Sequence, residues 1–568
     1  MVSILVRQAT VRSWTSVNNH KLFASFTRQY KTGPSILGVS GQQNQRCFHD
    51  YFLTHLPSCS IYPDCRAPVS SYQNLHGCAS TPHTGSAFSV HTPTSISRET
   101  VVRIPLRSAK DHFGVSTSRG SRPSNEDTYQ AGVICLPAFA KRAPLSLTIQ
   151  QSGDSPNSLY ASSPECRGAD ATRGDPQVFY FGVFDGHGGA ECSGFLRNRL
   201  HEYIQGAAES FELQSSLKLR ARYERSEQAR EPLVDQKGSR QRIGKLERSL
   251  LEDWKNVVGG YFRRFRPAQF SFYTNSPAGN YPCSSSPEAS EKGLDNGARI
   301  EEVIEYAFLR ADLDFVKAQA SRREDDDPVQ ADQPLNRHDI LHSPSRTHNP
   351  KIGGRKMFQG GSTCSVAMIS TPTPTPFWHP ATPSSLLVSH VGDTRVILCC
   401  TATGAAIPLT SNHHPSSPIE ASRLRRYAAM FVTDSFGEER MGGLANTRAF
   451  GDIRSKRLGV SAEPEMRRVE MGAAQYSFLV LVSDGVSGSI PDQEIVDIIK
   501  DARTPDQGAQ DVVSFATDVS TDADNATCLV VRLGGWERRL EGGLGSMGTK
   551  ESRDWRRQEA TDPRRART

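Results

Sequence analysis

A run of apolar and aromatic residues, Val178-Phe179-Tyr180-Phe181-Gly182-Val183-Phe184, breaks off abruptly at Asp185-Gly186-His187-Gly188-Gly189. Such a run is the pattern of a strand buried on both faces. It forces the chain to cover that strand from both sides, and it leaves a carboxylate at the strand's end. The motif recurs. Tyr476 to Val482 reads as another buried strand, followed at once by Asp484-Gly485, and Asp524-Asn525 stands just before a closing strand at Thr527 to Leu533. Glu126-Asp127 follows a turn-like stretch, Gly120-Ser121-Arg122-Pro123-Ser124.

Between these points the period changes repeatedly. Phe195, Leu196, Leu200, Tyr203, Ile204 and Ala207 fall on one helical face, and Ile300, Val303, Ile304, Ala307, Phe308, Ala311 and Phe315 repeat at three-and-four spacing. Ser362 to Ile369, Leu386 to Val391 and Arg395 to Cys400 read as strands, the last two joined by Gly392-Asp393-Thr394. Asp492 to Lys500 and Ala509 to Asp518 read as short helices. Strands and helices without regular alternation predict an α+β fold.

The 568 residues exceed what one core requires, and a hydrophobic fraction of 36% is low for that length. Polar insertions account for the difference, at about residues 138–176, 209–298 and 320–356. Within the second, Lys218 to Arg248 is rich in Arg and Lys but interleaved with acids. It reads as a solvated helix or a disordered excursion rather than a nucleic-acid surface. A net charge of +6 adds no argument for nucleic acid. Residues 50–100 read as linker, with ordered structure beginning near Val101, and 534–568 as a disordered basic tail. No apolar run reaches the ~18 residues of a membrane span. The 12 cysteines include no Cys-x-x-Cys pair, and Cys364 and Cys399 read as small core residues.

Residues 1–49 contain no Asp or Glu, against Arg7, Arg12, Lys21, Arg28, Lys31 and Arg46 among many Ser, Thr and Gln. This is the composition of a mitochondrial transit peptide. The other reading is an ordinary basic tail.

Carboxylates on rigid strand ends can converge at a sheet edge and offer the oxygen ligands that suit Mg²⁺ or Mn²⁺. Each Asp-Gly taken alone reads equally well as a turn. The order of motifs adds to this. Ser118 to Asp127, Phe181 to Gly189, Gly360-Gly361-Ser362-Thr363, Val391 to Arg395, Thr447-Arg448-Ala449-Phe450-Gly451-Asp452, Ser483-Asp484-Gly485 and Asp524-Asn525 follow one another along the chain. In this series the sequence resembles the metal-dependent protein phosphatase 2C family, over roughly residues 101–533. The placement of its insertions resembles fungal mitochondrial members.

The resemblance implies a four-layer sandwich, with two central antiparallel β-sheets flanked by α-helices. It implies a serine/threonine phosphatase in which a water bridging two divalent ions, Mg²⁺ or Mn²⁺, attacks phosphoserine or phosphothreonine in phosphoproteins. By position Asp185 bridges both ions. Asp484 and Asp524 join it on the first; Glu126 and the carbonyl of Gly186 join it on the second. Asp127 orients water, Arg122 binds the phosphate, and His187 protonates the leaving alkoxide. Asp393 corresponds to a ligand of a third, weaker ion. Each has a plainer reading: Arg122 a surface residue, His187 a helix cap, Asp393 a hairpin residue. Arg448 and Asp452 are expected to buttress the site through an ion pair, and His413 and His414 to be solvated. Ser487 and Gly488 stand where the family has Trp and Asp, which keeps a catalytically silent, phosphoprotein-binding regulator as the alternative.

Overall fold

Apolar strands alternate in which side they bury, and that alternation builds the layers. In the computed structural model the described residues are 48–57, 99–106, 112–141, 175–217, 236–271, 298–320, 360–425, 432–433, 439–441, 444–520, 522–540 and 545–561. The first strands are β1 (Phe48–His49), β2 (Tyr51–Pro57), β3 (Glu99–Pro105), β4 (Phe113–Ser118), β5 (Thr128–Ile134) and β6 (Val178–His187). Helices α1 (Glu191–Ser210), α2 (Gln236–Val257) and α3 (Ile300–Ala320) follow. Next come β7 (Gly361–Ser370), β8 (Ser384–Val391), β9 (Arg395–Cys400), β10 (Ala406–Pro408) and helix α4 (Pro418–Arg425). Short strands β11 (Val432–Thr433), β12 (Glu439–Arg440) and β13 (Phe450–Gly451) lead to α5 (Ile453–Lys456). The chain closes with β14 (Glu465–Met471), β15 (Tyr476–Val482), α6 (Asp484–Ser487), α7 (Asp492–Asp501), α8 (Pro505–Val519), β16 (Ala526–Arg532) and α9 (Gly545–Thr561).

One sheet runs β1-β5-β6-β7-β8-β14, with β13 also paired to β7; the other runs β10-β9-β15-β16-β4. Every ladder in both is antiparallel. Phe179, Phe181 and Val183 of β6 face inward and meet Leu398, Leu479, Leu481 and Leu529 of the second sheet. The alternate residues Val178, Tyr180 and Phe184 face outward and pack under Leu196 and Leu200 of α1 and Phe308 and Phe315 of α3. The second sheet covers its outer face with α7 and α8, through Ile495, Ile499 and Val512. Helix, sheet, sheet, helix is the four-layer arrangement expected.

Three expectations are corrected. Residues 50–100 are not all linker, since β2 pairs with β3 along its whole length. Phe52 of β2 is buried against Trp378 and Phe179. β1 lies inside the segment read as targeting peptide, and Phe48 packs on His201 and Tyr180. Gly132 of β5 makes that possible, because a Cβ there would lie 2.4 Å from the Phe48 ring. The rest of residues 1–49 lies outside the described residues, as do most of the first insertion and nearly all of the third.

The second half of Lys218–Arg248 is the start of α2, largely solvated as read, but the helix runs on into a buried stripe. Ile243, Leu250, Leu251 and Trp254 of α2 are buried, the last three against Phe262, Phe270, Leu309 and Leu313. Their helical spacing is present in the sequence but diluted by Arg, Lys and Glu. The segment after α2 is tied down by carboxylates. Ser271 N donates to Glu247 and Glu302, Ala268 N to Glu305 and Glu463, and Arg299 N to Glu302. The basic tail carries α9, whose Arg556 reaches Glu494 of α7 and the Ser489 carbonyl. No described helix is long and apolar enough to cross a membrane.

Removing residues 1–57 takes Phe48 and Phe52, and should lower the melting temperature by roughly 5 °C or more relative to removing residues 1–46 alone. Equal melting of the two truncations, by calorimetry, would show that β1 and β2 add nothing.

Candidate metal centre

Three strand ends deliver three carboxylates to one place. β6 runs past its apolar stretch to pair Asp185 with Thr363 and His187 with Gly361 of β7. The β8–β9 turn passes from the first sheet to the second with Gly392 at φ +105°, where a Cβ would sit 2.3 Å from the Thr363 side chain. Only glycine suits that conformation and that approach. Asp393 at the turn's tip accepts from Asn446 Nδ2 at 2.8 Å. β15 ends at Val482, two residues before Asp484, whose N–H donates to Asp185 Oδ2 at 3.3 Å. Asp185, Asp393 and Asp484 each offer a carboxylate oxygen within 4.8 Å of the others.

Like charges so close, and removed from water, resist ionising together. Burial, then the charges of Asp484, Asp127 and Asp393, push Asp185 well above the usual carboxylate range. Burial and the charge of Asp393 push Asp484 up to about 7. Asp127 is raised by burial, partly offset by a hydrogen bond from Thr527 Oγ1 at 2.8 Å. Its Oδ1 is buried with no hydrogen-bond partner among the described residues. An all-oxygen donor set, mutual repulsion and an orphaned buried oxygen fit hard divalent cations such as Mg²⁺ or Mn²⁺.

The other expected ligands lie around this trio without joining its tightest group. The charge of Asp524 raises both Asp127 and Asp484, so it stands beside them. Gly186 crosses Glu126 so closely that a Cβ would fall 2.5 Å from the Glu126 carbonyl. That carbonyl accepts from Ser193 Oγ at 2.5 Å. Asp393, expected at a third, weaker ion, lies within 4.8 Å of the Asp185 and Asp484 carboxylates, because the glycine turn folds its tip over the end of β7.

Arg122 is paired with Asp524 at 2.6 Å. Its side chain is still 58% exposed, so the rest of the guanidinium is open to an external anion. His187 does not cap α1, whose N-cap is Ala190. Its Nε2 meets Asp452 Oδ2 at 2.8 Å. Burial opposes its protonation, but the hydrogen bond and charge of Asp452 outweigh that and raise its pKa. The expected Arg448–Asp452 pair is therefore corrected: Arg448 instead binds Glu420 at 2.6 Å and the Glu463 carbonyl. His413 is buried, not solvated. It accepts from Gly392 N at 2.9 Å and stacks on His390, so it props the Asp393 turn.

One positioning residue escaped the sequence reading. Asn525 accepts from Glu126 N and donates to the carbonyls of Arg119 and Ser124, stapling the Arg122 loop to β16. Its only sequence signal is its place beside Asp524.

The family profile described as "Protein phosphatase 2C" matches residues 295–525. "Protein phosphatase 2C homolog 4" of Schizosaccharomyces pombe is 30% identical over 439 residues, covering 77% of this chain and 84% of that protein. The chain belongs to the protein phosphatase 2C family. It is accordingly a metal-dependent serine/threonine protein phosphatase. "Protein phosphatase 1K, mitochondrial" of Xenopus laevis is 38% identical over 152 residues, 27% of this phosphatase and 40% of that one. A solved structure, serine-threonine phosphatase 2C from Toxoplasma gondii, aligns at 16% identity over 74% of this chain and 94% of that one, with a TM-score of 0.40 too low to argue from.

The cluster makes the phosphatase's stability depend on pH in a definite direction. Without cations the Asp484 carboxyl titrates at about 7 in the folded chain and at about 3.9 in an unfolded one. Between those values the folded state holds the extra proton, so this stability is present at low pH and is lost as pH rises through 7. A cation bound at the cluster would take over the proton's role. Mn²⁺ should therefore raise the melting temperature more at pH 8 than at pH 6, read by thermal unfolding with and without the ion. Equal shifts would rule out proton–cation exchange at the cluster.

Proposed function

We propose that this phosphatase hydrolyses phosphoserine and phosphothreonine in mitochondrial phosphoproteins by attack of a water held between two divalent cations. Asp185, Asp484, Asp524, Glu126 and the Gly186 carbonyl would hold the pair, with Asp393 in the same cluster or on a third ion. The observation that carries the reading is the convergence of Asp185, Asp393 and Asp484 from the ends of both sheets. Bound cations would supply the acidity that makes water nucleophilic near neutral pH.

The remaining work falls to side chains of this chain. Arg122 offers a planar fork to the phosphate oxygens while its loop is fixed by Asn525. The orphaned Oδ1 of Asp127 accepts from the attacking water and orients it. As the new P–O bond forms, the bond to the serine or threonine oxygen breaks. His187, held by Asp452, gives that oxygen its proton. A mitochondrial address is supported by the acid-free stretch of residues 1–49 and by the name of the Xenopus relative.

The chain should release phosphate from a phosphothreonine peptide with Mn²⁺ or Mg²⁺ and lose that turnover with chelator. Asp185→Asn should cut kcat by about 10³-fold or more. Absence of turnover in folded, Mn²⁺-loaded protein would favour the silent regulator, for which the Ser487 and Gly488 departures speak. A reporter carrying residues 1–49 should enter mitochondria; a cytosolic reporter would refute the address.

A further inference from the structure

A fully buried ion pair lies behind the acid end of the site. Asp312 of α3 and Lys456 at the end of α5 are 2.5 Å apart, and both are 0% exposed. Burying two charges is costly unless geometry and further hydrogen bonds repay it. Here every further bond goes to one short segment. Asp312 Oδ1 accepts from Gly451 N at 2.8 Å, and Lys456 Nζ donates to the Ala449 carbonyl at 2.6 Å.

That segment is conformationally demanding. Gly451 has φ +73° and Asp452 has φ +50°, two consecutive residues in the left-handed region. A left-handed aspartate persists only where its surroundings hold it. The same turn brings the Asp452 carboxylate to His187 Nε2. It also sets that carboxylate against Gly361, where a Cβ would lie 2.2 Å from Asp452 Oδ2. Gln319, also on α3, donates to the Gly360 carbonyl at 2.9 Å and fixes the opposing strand. The chain of contacts runs from α3 through the buried pair to the turn, from the turn to Asp452, and from Asp452 to His187.

The geometry points to Asp312 and Lys456 as positioning residues for proton donation by His187, acting through the 449–452 turn. This rests on the reading of His187 as the proton donor. When water's oxygen bonds to phosphorus and the P–O bond to the leaving group breaks, an alkoxide needs that proton at once. A nitrophenolate does not. Misplacing His187 therefore slows the first substrate class and spares the second, whereas general loosening of the site slows both.

The test uses the full chain with Mn²⁺ and two substrates, a phosphothreonine peptide and p-nitrophenyl phosphate. Asp312→Leu combined with Lys456→Met replaces both charges with apolar groups of similar volume, a change buried pairs often tolerate without loss of stability. It should cut kcat on the peptide at least about tenfold and on p-nitrophenyl phosphate less than about threefold, a fraction of what general acid catalysis supplies. KM should hold on both. Asp312→Asn, which keeps the volume, should show the same selectivity and serves if the double variant does not fold. His187→Gln separates the two layers of the argument. If it slows both substrates equally, the proton-donor reading falls and this inference with it. If it is selective and the pair variants are not, the inference alone is overturned.

Discussion

Mutual repulsion among carboxylates at the seam of two sheets is the constraint to which the rest of this structure answers. Asp185 arrives on a strand of one sheet, Asp484 at the start of the short helix that follows a strand of the other, and Asp393 on the turn that passes between them. None is a comfortable charge where it stands. Neighbouring groups hold each in place: Asn446 donates to Asp393, the Asp484 N–H donates to Asp185, and His413 steadies the Gly392 turn. A cation binding there would act as a rivet between the sheets as well as a reagent.

Much of this was legible in the sequence, for a physical reason. Strands buried on both faces must be apolar throughout, so Val178–Phe184 and Tyr476–Val482 announced themselves, and the residues that ended them stood out. The α1 and α3 faces followed from their spacing. Partners at long range were not legible. Nothing near Arg448 in the chain says that it binds Glu420 rather than Asp452, and nothing near His413 says that it is buried under a turn. The buried stripe of α2 was hidden by composition, because the helix's charged majority outweighed it. β1 and β2 were hidden by brevity and by a neighbourhood that reads as linker.

The corrections share a pattern. In those that concern the fold, a stretch that looks solvated supplies a few large or charged side chains that pack onto the central layers. Phe48 and Phe52 pack on opposite faces of β6, at Tyr180 and Phe179, Trp254 covers the flank of α3, and Arg556 ties the tail to α7. A polar average over a window conceals such sparse anchors.

Glu302 governs how the two ends of one excursion, between Ser271 and Arg299, are tied. Its carboxylate accepts from the N–H of Ser271 and from that of Arg299. The two ends of the stretch between Ser271 and Arg299 therefore meet at a single side chain, like a purse drawn shut at the neck. A loop whose ends already meet carries little further cost as it lengthens, about 0.6 kcal/mol for each doubling. Lengthening the chain between those two residues should therefore leave the carboxylates of the seam where they stand.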